Sequence, residues 1–98
     1  MSKIKEINEY AEEMEEEIII YDEYEDAIIG LADRFGMDTS VAYDYDKVIK
    51  ILMEDMSYEE AVEYFDFNVI GGWVGDSTPV FIKVLSLQKQ VGPSDRPR

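Results

Sequence analysis

DYDKVIKILMEDMSYEEAVEYFDFNVIGG, residues 44–72, writes out two helices in succession. Asp44 or Asp46 stands where a side-chain oxygen can cap the first, which the pattern runs over 46–55. Val48, Ile49, Leu52, Met53 and Met56 recur at helical spacing and form its buried side. Ser57-Tyr58-Glu59-Glu60 is a capping box, with Met56 and Ala61 at the staple positions, so a second helix begins at Tyr58. Tyr58, Ala61, Val62, Phe65 and Val69 lie on one of its sides, and Gly71-Gly72 ends it near residue 70. The two helices meet at Met56–Ser57 with almost no linker.

Outward from this pair the pattern changes. Thr78-Pro79-Val80-Phe81-Ile82-Lys83-Val84 reads as a strand, with Pro79 near its start as suits a strand beginning or an edge. Upstream, Ala27-Ile28-Ile29-Gly30-Leu31-Ala32 fits a helix face and also fits a strand with a close backbone approach at Gly30. The strand reading is adopted. Gly36-Met37-Asp38 then turns the chain, and Ser40-Val41-Ala42-Tyr43 pairs back. Ile18-Ile19-Ile20-Tyr21 has the β-branched and aromatic character of a short strand. At the N-terminus, Ile4, Ile7, Ala11, Met14 and Ile18 make a narrow apolar stripe on a helix over 2–17 capped by Ser2. Glu15, Glu16 and Glu17 crowd the negative end of its dipole, so it should fray near Glu17. The expected architecture is α+β: a small antiparallel three-stranded sheet (27–32, 40–44, 78–84) packed against the helix pair, with an additional N-terminal acidic helix. One domain occupies 1–86, and 87–98 is a loose basic tail with two prolines.

Composition narrows the function. Ninety-eight residues make one domain, and 46% apolar content argues against global disorder. No apolar run is long enough for a spanning helix, and the charged start is not a secretory signal, so a cytoplasmic protein is expected. The absence of cysteine removes disulfides and thiolate chemistry. The absence of histidine removes the commonest acid–base group and transition-metal ligand. No catalytic residue, metal site or cofactor is assigned. An enzyme here would have to use carboxylates, and would need a cleft that separates the proton affinities of two of them.

The net charge is −14, unevenly spread: 22 acids face 5 bases through residue 82, and 4 bases face 1 acid beyond it. Such a body is repelled by nucleic acid and by anionic membranes, and attracted to basic proteins, including those that bind nucleic acid. Glu6, Glu9, Glu13, Glu16 and Glu17 recur at mostly helical steps, which places their carboxylates along one helix face, roughly 5 Å apart. A row of that density imitates a DNA backbone and could occupy a DNA-binding protein, although a solvated face is the commoner use of such a run. Trp73, between glycines, is either an exposed anchor for a partner or a plug for the core. Gly72-Trp73-Val74-Gly75 does not follow a strand, which argues against a phosphate cradle. Asp44 and Asp46 could hold a divalent ion, but helix capping explains one of them. Asp22–Asp26 lacks the glycine and closing glutamate of a calcium loop. Tyr21, Tyr24, Tyr43, Tyr45, Tyr58 and Tyr64 fit an interaction surface and a small core equally well.

Within residues 25–82, Tyr43-Asp44, Met56 with Glu59-Glu60-Ala61, Phe67-Asn68, Trp73-Val74-Gly75 and Thr78-Pro79 form an ordered pattern. Glu25-Asp26-Ala27-Ile28-Ile29-Gly30 precedes it. This pattern resembles a family of small tailed-phage and prophage proteins without an assigned activity. The resemblance implies a phage or mobile-element origin and a host-cell setting, and no particular chemistry. The leading expectation is a non-enzymatic accessory protein that binds a basic partner through its acidic surface, as an inhibitor of host defence that mimics nucleic acid. The alternatives are a homo-oligomeric assembly protein using the helix-1 stripe and a carboxylate-based enzyme.

Overall fold

The computed structural model describes residues 2–72, 75 and 77–85. In chain order it contains α1 (Lys3–Met14), a 3₁₀ turn (Asp22–Ala27), β1 (Ile28–Ala32), β2 (Ser40–Asp44), α2 (Tyr45–Leu52), α3 (Tyr58–Tyr64) continued by a π turn (Phe65–Val69), and β3 (Val80–Ile82). The class is α+β, a three-stranded sheet with helices and an N-terminal helix, as the pattern indicated. No helix among the described residues is long and apolar enough to cross a membrane. Trp73, Val74, Asp76 and the tail 87–98 lie outside the described residues.

The sheet order is β1-β2-β3. β1 and β2 form the expected antiparallel hairpin, Leu31 opposite Val41 and Ala32 opposite Ser40, with a register shift between Ile28 and Gly30. Gly36 takes φ 78° in the turn where the Met37 N–H donates to the Arg34 carbonyl, and the Thr39 hydroxyl donates to Asp33 across the loop. The strand pattern prevails over the helical alternative because exposure alternates: Ile29 and Leu31 face out while Ile28 is buried. The expectation of an all-antiparallel sheet fails at β3, which runs parallel to β2 with Tyr43 opposite Phe81. The cause is the connection. A hairpin turn forces opposite directions, whereas a long helical crossover lets the returning strand enter alongside its predecessor.

Both helix starts in the crossover are built as their sequences dictate. Asp44 accepts the Lys47 N–H at the start of α2, and Ser57 and Glu60 exchange hydrogen bonds in a complete capping box at α3. α2 ends at Leu52, three residues short of expectation. Ala61, Phe65 and Val69 are buried at steps of four. An α-helix drifts about 40° over each such step. The wider π turn reduces that drift and keeps Val69 facing inward with Phe65. The Asn68 amide donates to the Tyr64 carbonyl. At the turn's end, a Cβ on Gly71 would sit 3.2 Å from the Asp66 carbonyl oxygen, so only glycine passes easily.

Tyr43 is completely buried in the central strand. Its ring stacks on Phe81 (5.3 Å between centroids) and on Tyr21 (6.0 Å), and meets Tyr24 edge-on. Phe81 continues to Phe65, and Phe65 to Tyr45, in edge-to-face contacts. The Tyr21 N–H donates to the Tyr43 hydroxyl at 2.7 Å, and that hydroxyl donates to the Tyr21 carbonyl at 3.5 Å. Residues 18–21 therefore do not join the sheet as a strand. Their side chains Ile18, Ile20 and Tyr21 pack on the core, and a phenol takes the backbone bond that a ladder would have made.

The N-terminal helix stops earlier than expected, at Met14, for a definite backbone reason. Glu15 adopts the left-handed conformation (φ 58°, ψ 45°), and the Glu15 and Glu16 N–H groups fold back onto the Glu12 and Ala11 carbonyls. No base stands in the last turn to offset its dipole. A side chain in this conformation carries strain of about 1–2 kcal/mol that glycine avoids, while glycine's greater freedom when unfolded returns roughly 0.5–1 kcal/mol. Glu15→Gly is therefore expected to raise stability by up to about 1 kcal/mol in urea unfolding; a loss of stability would refute the left-handed cap.

Candidate functional site

The five glutamates proposed as one row do not form one. Glu6, Glu9 and Glu13 are exposed on α1, and Glu6 and Glu9 flank a shallow depression with Ser2 and Lys5. The left-handed turn at Glu15 carries Glu16 and Glu17 off the helix. Glu17 is exposed, but Glu16 turns partly inward, and its Oε1 is buried without a hydrogen-bond partner. The continuous row is thus corrected to a three-glutamate face, with Glu12 also exposed beside it. Trp73, the other proposed contact residue, lies outside the described residues.

The apolar stripe of α1 is largely used within the molecule. Ile7 is buried, and Ile4 and Ile18 pack on the same core. The start of the helix is tied down by groups distant in sequence. The Glu25 carboxylate accepts the Ser2 hydroxyl and the Ile4 N–H, placing negative charge at the positive end of the dipole. The Lys3 ammonium donates to the Ile28 carbonyl at 2.9 Å. Between α1 and β1 a groove of about 420 Å³ remains, walled by Ile7, Tyr10, Ile29 and Leu31.

A second acidic surface lies on α3 and its π turn. Asp55, Glu60 and Glu63 line a depression of about 530 Å³ together with Tyr64, Phe67 and Asn68. A smaller hollow shares Tyr64 and Asn68 and adds Glu23 and Tyr21. Phe67 is 76% exposed and Tyr64 42% exposed. From the sequence, Tyr64 fits an interaction surface and a small core equally well, and Phe67 enters only through the resemblance pattern. The available signal was the i, i+3 spacing of the two rings among Glu60 and Glu63, but their outward projection depends on a π turn that the sequence does not announce.

Of the 21 acidic residues described, 18 are exposed, and the other three are half-buried. Two of those three, Glu25 and Asp44, are occupied at helix starts. No ion pair joins a carboxylate to a lysine or arginine among the described residues. Nor does any group of three or more acids there have the arrangement of a metal site. The perturbed titratable groups among the described residues are phenols. Burial pushes Tyr43 up to about 12, against a lowering contribution from its bond to the Tyr21 backbone. Burial, then the Glu23 charge, pushes Tyr24 up to about 12. Burial first, then the neighbouring Tyr58, Asp66 and Asp46, raises Tyr45. These phenols stay protonated near neutral pH and act as hydrogen-bonding and packing groups, not as bases.

No family model, curated protein or solved structure matches this chain.

The raised phenols fix a pH dependence. Because the folded protein holds these protons more tightly than the unfolded chain does, their contribution to stability is complete below about pH 10. It is lost as pH rises toward 12. Tyr24→Phe should flatten the fall of unfolding free energy between pH 10 and 12 by one proton's worth of slope, about 1.4 kcal/mol per pH unit at most. An unchanged slope in urea titrations would contradict the assignment.

Proposed function

We propose that this protein is a non-enzymatic binding module that docks a basic protein through its carboxylate surface and competes with nucleic acid for that partner. The observation that carries the reading is the exposure of 18 of 21 described acids with no internal ion pair among them. Unpaired carboxylates repel one another, by about 0.7 kcal/mol per pair at 6 Å in water. Cationic side chains of a partner relieve that repulsion on docking. This is the same gain a DNA-binding protein draws from phosphates. The chemistry available for catalysis is thin by comparison: the half-buried Glu25 and Asp44 are committed to helix starts, and the buried phenols hold their protons.

The pattern across residues 25–82 points the same way, toward an accessory protein of a tailed phage or mobile element acting in the host cytoplasm. In that setting, a host nuclease or other DNA-binding defence protein is the natural basic partner. Binding should then be electrostatic and mutually exclusive with DNA.

A competition assay with a sequence-nonspecific basic DNA-binding protein and a short DNA duplex tests this. The chain should release the duplex at about 50 mM salt, and should lose that ability steeply by about 200 mM. Reversing Glu9 and Glu13 to lysine should weaken displacement. Failure to displace at low salt, or displacement indifferent to salt, would defeat the reading.

A further inference from the structure

The hollow on α3 departs from a merely acidic surface in one respect: apolar rings are held open within it. Phe67 and Tyr64 project from the same helical segment as Glu60 and Glu63, and Asp55 closes one end of the depression. Ile70, 53% exposed, prolongs the apolar strip past the π turn. Single exposed apolar residues are ordinary on protein surfaces. Here three of them follow one another along one element, beside a concavity of about 530 Å³ edged by carboxylates.

We infer that this face is a docking site for an arginine-bearing segment of a partner protein, its guanidinium groups lying on Phe67 and Tyr64 while Glu63 and Asp55 accept their N–H groups. The inference deepens the proposed function and rests on it. Charge complementarity chooses the occupant. Nucleic acid and a second copy of this −14 chain are both repelled, whereas a basic segment is attracted. The rings choose arginine over lysine. A guanidinium is planar and weakly hydrated, so it can stack on an aromatic face and bond a carboxylate in its own plane at once. An ammonium is a strongly hydrated point charge and gains less from the ring. The molecule already uses a contact of this general kind, with the Lys83 ammonium 4.8 Å from the Tyr45 ring centroid.

The π turn supplies the geometry. It turns Phe65 and Val69 into the core while leaving Asp66, Phe67 and Asn68 outside, and the Asn68 amide secures the Tyr64 carbonyl. Glu60 is partly committed, since one of its carboxylate oxygens accepts the Ser57 N–H in the capping box. Glu63 and Asp55 have no such bond and are the uncommitted carboxylates among the described residues lining this hollow.

Binding of nona-arginine and nona-lysine peptides to the full chain tests the site. The variants are Phe67→Ala, Glu63→Lys, and Glu9→Lys with Glu13→Lys. Nona-arginine should bind the wild type several-fold more tightly than nona-lysine. Phe67→Ala should lower nona-arginine affinity about tenfold and erase that preference without altering net charge. The α1 double variant should retain the arginine preference even though its overall affinity falls. Phe67 is exposed, so its replacement leaves the core intact, and unchanged far-UV dichroism would verify this. Equal binding of both peptides, unaffected by Phe67→Ala, would overturn the docking site and leave diffuse acidic recognition standing. Failure of the wild type to bind either peptide at about 50 mM salt would overturn both.

Discussion

The bond between the Tyr43 hydroxyl and the backbone of Tyr21, set inside a cluster of six aromatic rings, is the interaction on which this architecture depends. Tyr43 lies at the middle strand of the sheet. Its ring touches the segment that leads from α1, the 3₁₀ turn and β3, and through Phe81 it reaches Phe65 on α3. A small domain has little core to spend, and few of this chain's bulky aliphatic residues are fully buried. Tyrosine and phenylalanine supply area in large units, with about 0.5–1.5 kcal/mol per ring pair beyond burial alone. The phenol also satisfies a backbone N–H that has no strand to pair with, and leaving that donor empty would cost about 1–3 kcal/mol.

A core built this way leaves the surface free to be almost uniformly acidic. Few lysines and arginines are present to neutralise it, and those described do not pair with the acids. Self-repulsion is then a standing cost of the folded state, borne by the aromatic cluster and by the caps that use acids profitably. Glu25 at the start of α1, Asp44 at α2 and Glu60 at α3 each put negative charge at the positive end of a helix. Asp33 accepts the Thr39 hydroxyl in the β1–β2 loop, and the remaining described carboxylates make no hydrogen bond or ion pair within the molecule; the proposed recognition of a basic partner would give them a use.

Local chemistry was legible in the sequence wherever a few neighbouring residues decide the outcome. The Ser57–Glu60 capping box, the Asp44 cap and the β1–β2 hairpin are all as their residues indicate. What escaped depends on contacts between distant residues or on backbone states that composition does not encode. Nothing near Ile18–Tyr21 reveals that a phenol 22 residues away will take its hydrogen bond in place of a strand. The direction of β3 follows from the crossover, not from its own residues. Glu15 is a poor residue for a left-handed cap, so a helix end there could not be anticipated, and with it the row through Glu16 and Glu17 is lost. The rings on α3 were visible as residues but not as a surface, because the π turn that presents them has no sequence signature comparable to a cap.

The central claim is that the acidic surface is unpaired and mutually repelling. It is tested most directly by measuring the urea-unfolding free energy of the full chain across a sodium chloride series from about 10 mM to 500 mM. Screening should relieve the repulsion, so stability should climb with salt over the range in which the Debye length falls from about 30 Å to a few ångströms. Stability that is flat or declines with added salt would mean that the carboxylates are neutralised within the molecule, and the account would fail.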